Sequence, residues 1–183
     1  KHLMYIVILS GQLCSTQNLA YHSAFPLPEK RWDIGLFQPF RFGVSKTLEY
    51  SLYPLLFFVM PNLSIKLSQK DIGNWAAASR HGVFYPTPLL NMITHENEFG
   101  IISPDFDPIP RLLGLYSDWL MTRSLSSSTY LSINTGLTAG ISFGNLDERT
   151  TIDLPLVYHR LGVFYNKWAI RFGADLTGQI TKK

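Results

Sequence analysis

A serine-hydrolase motif is the most chemically suggestive pattern in the sequence. Residues 140–144 read GISFG, which matches G-x-S-x-G, and Asp153 and His159 follow the serine in the order that α/β-hydrolases use. In those enzymes the serine lies on a strained turn between a strand and a helix, above a parallel sheet. Here Ser142 ends a run of alternating residues that has no helical periodicity. We therefore interpret the match as coincidental and predict no catalytic residue.

Oxygen and nitrogen donors that could hold a hard cation are concentrated in one long connection, residues 86–111. They are His95, Glu96, Glu98, Asp105 and Asp107. Their spacing does not match an EF-hand loop, because no D-x-[DN]-x-[DN]-G series occurs. The single cysteine, Cys14, cannot form an internal disulfide framework or a multi-cysteine metal site. We interpret the acids as solvated loop residues and predict no metal and no cofactor.

The motif serine belongs to the most regular segment of the chain, residues 130–143 (YLSINTGLTAGISF). Every second residue from Leu131 to Phe143 is apolar or threonine, and the residues between them are small or polar. Successive side chains of a strand point to opposite faces, so the pattern predicts a long strand with one apolar side. Its length exceeds the usual strand of roughly five or six residues. It reaches the roughly 9–11 residues that a tilted strand needs to cross a bilayer.

The rest of the chain contains similar but shorter alternating runs. Together they predict about eight strands, at residues 32–37, 48–53, 63–68, 75–85, 113–122, 130–143, 152–165 and 168–180. The first two runs are predicted to form a hairpin around a turn at residues 43–46. A change of phase near His159 predicts a β-bulge in the seventh run. Residues 54–61 are predicted to form a short helix or an interfacial plug, and residues 86–111, with five prolines, an irregular stretch.

Composition limits the class of protein further. The 183 residues suit one domain, and charged residues make up only 16%, against about 25% in typical soluble domains. Aromatic residues make up 14%, and the net charge of +3 without a basic cluster gives no indication of nucleic-acid binding. Residues 1–16 have the cationic, apolar and small-residue order of a signal peptide, with a lipoprotein at Cys14 as the alternative. Residues 17–183 are then predicted to form one exported β-barrel domain.

The faces opposite the apolar ones carry small residues and isolated charges, not the dense Lys and Glu of a water-exposed sheet. We predict that these charges form a paired cluster in a barrel lumen, because desolvated charges must be paired. The cluster comprises Asp33, Glu49, Lys66, Arg80, Asp118, Arg171 and Asp175. Aromatic residues near the strand ends are predicted to mark two membrane interfaces. These are Trp32, Trp75, Tyr85, Trp119, Tyr165 and Trp168.

With these patterns, residues 31–180 resemble small bacterial outer-membrane β-barrels, and residues 43–52 (GVSKTLEYSL) look like one of their hairpins. The resemblance implies an all-β fold, an antiparallel up-and-down transmembrane β-barrel of about eight strands in contact with outer-membrane lipid. It implies a structural or interaction role or a narrow polar conduit, and we expect the 86–111 loop to meet any protein or small-ligand partner.

Two other functions are compatible with the same sequence. The first is a soluble or periplasmic β-barrel that binds an apolar ligand inside, since an aromatic-rich soluble β protein has a similar composition. The second is a barrel-type lipid-modifying enzyme, which would pair His81 or His159 with Ser79 or Ser142 near one rim. Neither pairing has a specific spacing, so we predict a protein that is not an enzyme.

Overall fold

The protein is all-β, as the sequence predicts, with eight antiparallel strands in one up-and-down sheet. The computed structural model describes residues 21–35, 38–94, 109–145, 163–164 and 166–178. The strands are β1 (Trp32–Asp33), β2 (Phe40–Gly43), β3 (Leu48–Leu52), β4 (Asn62–Ser68), β5 (Ala76–Phe84), β6 (Arg111–Ser124), β7 (Thr129–Phe143) and β8 (Trp168–Gly178). Each strand pairs with the next along the chain. Within the described residues β1 and β8 do not pair, so the sheet is not closed.

The first hairpin differs from the predicted one. β3 pairs with β2 around a turn at residues 44–47, whereas residues 32–37 were expected to be its partner. β1 keeps only Trp32–Asp33 of that expected strand. The pattern of β2 is short, with Phe40 and Phe42 alternating with an arginine and a glycine directly before the turn, and such a run is hard to separate from the turn itself. The predicted strand at 152–165, with its bulge near His159, lies outside the described residues except for Val163 and Phe164, which are helical and not extended.

Among the described residues, two short helices connect consecutive strands. The first, α1 (Pro54–Phe57), has a proline in its first turn and agrees with the predicted short helix between β3 and β4. The second, α2 (Thr87–Thr94), follows β5 in a stretch that was predicted to be irregular. The Thr87 hydroxyl fixes its start, because it accepts a hydrogen bond from the Leu112 backbone N–H at 2.8 Å and donates one to the Pro110 carbonyl at 3.2 Å. Sequence analysis did not predict this helix because the prolines of the connection interrupt the helical periodicity.

The two faces of the sheet have opposite chemistry. One, which we call the polar face, buries Arg41, Glu49, Ser51, Ser64, Lys66, Arg80, Asp118, Thr122, Ser132 and Thr138. The other, the apolar face, leaves large hydrophobic side chains exposed. On β6–β8 these are Leu115, Trp119, Ile133, Leu137, Ile141, Phe143, Trp168, Ile170, Phe172 and Leu176, and the exposed fraction of Phe172 reaches 81%. This distribution is the inverse of that in a water-soluble sheet.

Buried apolar side chains form only small clusters in the described part of the chain. One lies where β6 begins and joins Leu90 of α2 to Ile109, Leu112, Val163 and Phe164. The other joins Ala24, Ala78 and Leu120 near the opposite end of the sheet. No helix among the described residues is both long enough and apolar enough to cross a membrane. Charged and hydroxyl side chains therefore make up much of what is buried between these clusters.

Candidate functional site

A row of charged residues crosses the polar face from β3 to β8. The strand register places its members side by side, in the order Glu49, Lys66, Arg80, Asp118, Gly136 and Arg171. Directly opposite residues in antiparallel strands have Cβ atoms about 4.5–5.5 Å apart, which is close enough for charges to pair. We call these residues the charged row. The glycine is its one uncharged position.

Glu49 is the centre of the first ion-pair group. Arg41 on β2 donates from Nε to Glu49 Oε1 at 2.9 Å and from Nη2 to Oε2 at 2.8 Å. Lys66 Nζ lies 3.6 Å from Oε1 of the same carboxylate. The Glu49 side chain is 0% exposed and that of Lys66 is 1% exposed. A bidentate arginine and a second cation therefore balance one carboxylate that has no access to solvent.

Asp118 is the centre of the second group. Arg80 on the neighbouring strand donates from Nε and Nη2 to Asp118 Oδ2, at 3.1 and 2.7 Å. Arg171 on β8 donates to Oδ1 at 2.6 Å, although β7 lies between β8 and β6. Gly136 of β7 lies between Asp118 and Arg171, where the arginine side chain passes over β7. A Cβ atom built on Gly136 would meet Asp118 Oδ1 and the backbone carbonyl of Ser117. The absence of a side chain at this position lets an arginine reach across a strand.

Residues 21–28 lie over the charged row, and we call this segment the strap. The Tyr21 carbonyl accepts hydrogen bonds from Lys66 Nζ at 3.0 Å and from Arg80 Nη1 at 3.5 Å. The Tyr21 ring also stacks on Arg80, with the guanidinium carbon 4.3 Å from the ring centroid. A cation over an aromatic face is stabilised by the ring quadrupole, most strongly when it is desolvated. The strap therefore supplies acceptors for the two cations in the middle of the row.

The backbone of the strap is fixed at two further points. The Ala24 N–H donates to Thr122 Oγ1 on β6 at 2.8 Å, and Ala24 itself is buried. The Leu27 N–H donates to Glu49 Oε2 at 2.7 Å, so the strap also binds the acidic centre of the first group. At the end of the strap, a Cβ atom on Gly43 would collide with the Pro28 carbonyl oxygen. The segment is held by contacts with several strands and covers the polar face as part of the fold.

His22 is the strap residue whose ionisation the site controls. Its Nδ1 atom is buried and has no hydrogen-bond partner within the described part of the chain. Burial and the positive charge of Arg80 lower the pKa of His22 below its ordinary value of 6.5. Lys66 acts in the same direction, whereas Asp175 and Asp118 oppose the shift. His22 is therefore held neutral beside the cations of the charged row.

The remaining predicted site residues lie at the margins of this arrangement. Asp33 is 4.0 Å from Arg41, and its side chain is 38% exposed. Asp175 lies on the polar face of β8, opposite Ser132, and its negative charge tends to raise the pKa of His22. Sequence analysis missed Arg41 because it did not predict β2. Arg41 lies opposite Ser51 in the hairpin, and a hairpin with this register would have placed Arg41 on the polar face. Sequence analysis also missed the strap, since residues 18–30 show no periodic pattern.

The predicted interface aromatics are spread over both ends of the sheet. Trp32 and Trp75 lie at the end where β1 and β5 begin, and Tyr85 and Trp168 lie at the other end. Trp119 lies within β6 on the apolar face and does not mark a strand end. Tyr165 lies outside the described residues. Whether these residues meet a membrane interface stays a prediction.

The residues considered for catalysis and metal binding are not assembled into a site within the described part of the chain. The Ser142 hydroxyl donates to the Gly144 carbonyl at 2.8 Å from within β7, and Asp153 and His159 lie outside the described residues. The five loop donors from His95 to Asp107 also lie outside them. Among the described residues, no three His, Cys, Asp or Glu side chains come together as metal ligands.

No protein-family model, curated protein or solved structure matches this chain. Function must therefore be inferred from the chemistry of the two faces and from the strap.

Proposed function

We propose that this protein is a transmembrane β-barrel of a bacterial outer membrane with a structural or interaction role. Its apolar face contacts acyl chains, and the polar face encloses an interior that the charged row and the strap fill. The observation that carries the proposal is the inverted distribution of side chains: charged residues are buried on one face while large hydrophobic residues are exposed on the other.

The cost of the exposed apolar face in water supports a lipid environment. Full burial of a large hydrophobic side chain stabilises a protein by roughly 1.5–3 kcal/mol. Ten such side chains on β6–β8, each exposed by about a third or more, correspond to on the order of 10 kcal/mol of unrealised burial. That is comparable to the whole free energy of unfolding of a typical domain, about 5–15 kcal/mol. Acyl chains would solvate these side chains without that cost.

Strand length supports the same environment. Trp75 and Tyr85 stand just before and just after the nine residues of β5, and β6 and β7 have 14 and 15 residues. A tilted transmembrane strand needs about 9–11 residues, and outer-membrane barrels carry aromatic residues at both edges of an apolar band about 25 Å tall. Closing the eight strands would remove the edges of the sheet, as lipid requires.

The buried polar face favours a filled interior over an open conduit. The interior of an eight-stranded barrel is just wide enough for side chains to fill. Here two carboxylates, their basic partners and the strap occupy the polar face. The alternative of a soluble barrel that binds an apolar ligand would need an apolar inner lining, whereas this face buries Glu49, Lys66, Arg80 and Asp118. A partner at the 86–111 connection remains part of the proposal.

Fractionation of cells that express the chain tests the proposal most directly. We expect the protein in the outer-membrane fraction after washing with urea, and we expect its gel migration to change on heating, because closed barrels resist unfolding by detergent. Recovery in the aqueous fraction without detergent would overturn the proposal.

A pair of arginine substitutions on one strand tests which medium touches the apolar face. Leu137 and Phe143 both lie exposed on the same face of β7, Leu137 in the middle and Phe143 at the end. In a lipid-facing strand, Leu137→Arg should destabilise the protein by about 2–4 kcal/mol and Phe143→Arg by about 0–1 kcal/mol. The measurement is the free energy of unfolding in lipid vesicles. In water both exposed positions would accept arginine with changes within about 0.5 kcal/mol, so equal small effects would contradict a membrane location.

A further inference from the structure

The connection between β3 and β4, residues 53–61, exposes large apolar side chains at one end of the sheet. Leu55, Phe57 and Phe58 are exposed, and the exposed fraction of Phe58 reaches 87%. No charged residue occurs between Glu49 and Lys66, so the connection has no ionic group of its own. We call residues 53–61 the apolar loop. Apolar surroundings would stabilise its exposed side chains, and these side chains offer nothing for a charged partner to pair with.

The backbone at both ends of the apolar loop is paired within the protein. The side chain of Asn62 accepts a hydrogen bond from the Tyr53 N–H at 2.7 Å and donates one to the Met60 carbonyl at 2.9 Å. The Pro61 carbonyl accepts a hydrogen bond from the Tyr85 N–H at 2.9 Å. The two prolines of the loop have no N–H that would need a partner. Irregular backbone is costly in lipid unless its polar groups are paired in this way.

The strands that the apolar loop joins are short for a membrane protein. β3 has five residues and β4 has seven, whereas a transmembrane strand needs about 9–11. Tyr50 of β3 and Leu63 of β4 are exposed on the apolar face, and each lies within three residues of the loop. The exposed apolar surface therefore continues from these two strands into the loop. The loop supplies apolar surface where the strands alone are too short to match a bilayer.

We propose that the apolar loop binds lipid at the boundary between headgroups and acyl chains, an inference that rests on the proposed function. The four residues of α1 are too few to span a bilayer, so the helix lies at this boundary. Acyl chains fit the loop better than a protein partner does, because they need only apolar surface. A protein interface also surrounds its apolar centre with polar groups, and the loop is uncharged throughout.

Spin labels report which medium surrounds the apolar loop. The only native cysteine, Cys14, is replaced by serine, and a labelled cysteine is introduced as Phe58→Cys or, if that variant does not fold, as Leu55→Cys. Two comparison proteins carry Leu137→Cys or Ser126→Cys. Leu137 is exposed within β7 on the apolar face, and Ser126 is exposed in the turn between β6 and β7, at the opposite end of the sheet from the loop.

Each labelled protein is folded into phosphatidylcholine vesicles. Collisions of the label with oxygen, which concentrates in lipid, are compared with collisions with a water-soluble nickel chelate. The ratio of oxygen to nickel collisions at position 58 should exceed that at position 126 by at least about threefold and stay below that at position 137, because an interfacial segment lies roughly 5–10 Å into the boundary.

The outcomes separate this inference from the proposed function. A ratio at position 58 as low as that at position 126, with lipid contact retained at position 137, would place the loop in water and overturn only the inference. An immobilised label at position 58 that neither probe reaches would show a protein surface over the loop, such as a second copy of the chain, and would also overturn it. If the label at position 137 met the nickel chelate as freely as the label at position 126, the proposed function would fail, and the lipid contact of the loop with it.

Discussion

The two faces of the sheet are built from the same strands but are completed in different ways. On the polar face, Glu49 and Asp118 each pair with two cations, and the strap lies over them. On the apolar face, residues such as Phe172 and Leu176 have no cover from the described part of the chain. Buried ion pairs are tolerated only when their hydrogen bonds are satisfied, whereas apolar side chains need only a medium that is not water.

This difference indicates where the specificity of the fold lies. The polar face depends on particular partners at particular distances, so single substitutions there should have large effects. The apolar face depends on an average property of its surroundings, so conservative apolar changes there should have small effects. Substitutions on the polar face test this contrast.

Removal of the Glu49 carboxylate should have the largest effect. Glu49→Ala removes the buried carboxylate that Arg41 and Lys66 share, and with it the acceptor of the Leu27 N–H. Loss of one member of a buried ion pair typically costs about 3–5 kcal/mol. We expect a decrease of that size in the free energy of unfolding, measured with denaturant in lipid vesicles.

The control for Glu49 is Asp33→Ala. Asp33 is a partly exposed carboxylate 4.0 Å from the same arginine, and exposed ion pairs contribute about 1 kcal/mol or less. If both substitutions destabilised the protein equally, the contrast between buried and exposed charges would be wrong.

A side chain added at Gly136, where Arg171 passes over β7, should have the next largest effect on the free energy of unfolding. Gly136→Ala places a methyl group against Asp118 Oδ1, and the side chain of Arg171 must then lose or lengthen its bond to that carboxylate. Overpacking of this kind costs about 1–3 kcal/mol. Because Arg171 is 47% exposed, most of the cost should come from displacement of Asp118 and Arg80.

Gly178→Ala is the matched change at the end of β8, where an added Cβ would make only ordinary contacts with Thr129 and Ser128. We expect a change within about 0.5 kcal/mol there, measured in the same unfolding experiment. If the Gly136→Ala protein were as stable as the Gly178→Ala protein, the ion pair between Asp118 and Arg171 would not depend on the absence of a side chain at position 136.

Much of the sheet could be predicted from alternation alone, because a period of two is a direct consequence of strand geometry. β7 illustrates this, since it was predicted at residues 130–143 and is found at Thr129–Phe143. The prediction was wrong where the pattern was short or interrupted. β2 has only four residues, and α2 lies among the prolines of the connection after β5.

The charged residues could be predicted as a set but not as pairs. Residue type and phase place Lys66, Arg80 and Asp118 on one face, but register decides which of them are neighbours. The bridge from Arg171 to Asp118 skips a strand and depends on Gly136, which alternation cannot reveal. The strap holds the row through backbone atoms of Tyr21 and Leu27, and backbone groups leave no signature in residue type.

Acidification should destabilise the protein through His22 of the strap. We expect this effect on the free energy of unfolding to be smaller than those of Glu49→Ala and Gly136→Ala. The folded protein lowers the pKa of His22 below the value of 6.5 that applies to the unfolded chain, because His22 is buried and faces Arg80. Well above pH 6.5 His22 is neutral in both states and contributes no pH dependence to the free energy of unfolding. Below pH 6.5 the unfolded chain takes up the proton first, so the free energy of unfolding falls as the pH decreases, by at most about 1.4 kcal/mol per pH unit.

The measurement compares the native protein with His22→Gln between pH 8 and pH 5 in lipid vesicles. Carboxylates on the polar face titrate in both proteins, so the difference between the two free energies isolates the histidine. We expect that difference to shift in favour of His22→Gln as the pH falls, with earlier proteolytic cleavage within residues 21–28 of the native protein. A difference that does not change with pH would show that His22 accepts a proton as readily under the strap as in water, and the strap would then not exclude solvent from the cations beneath it.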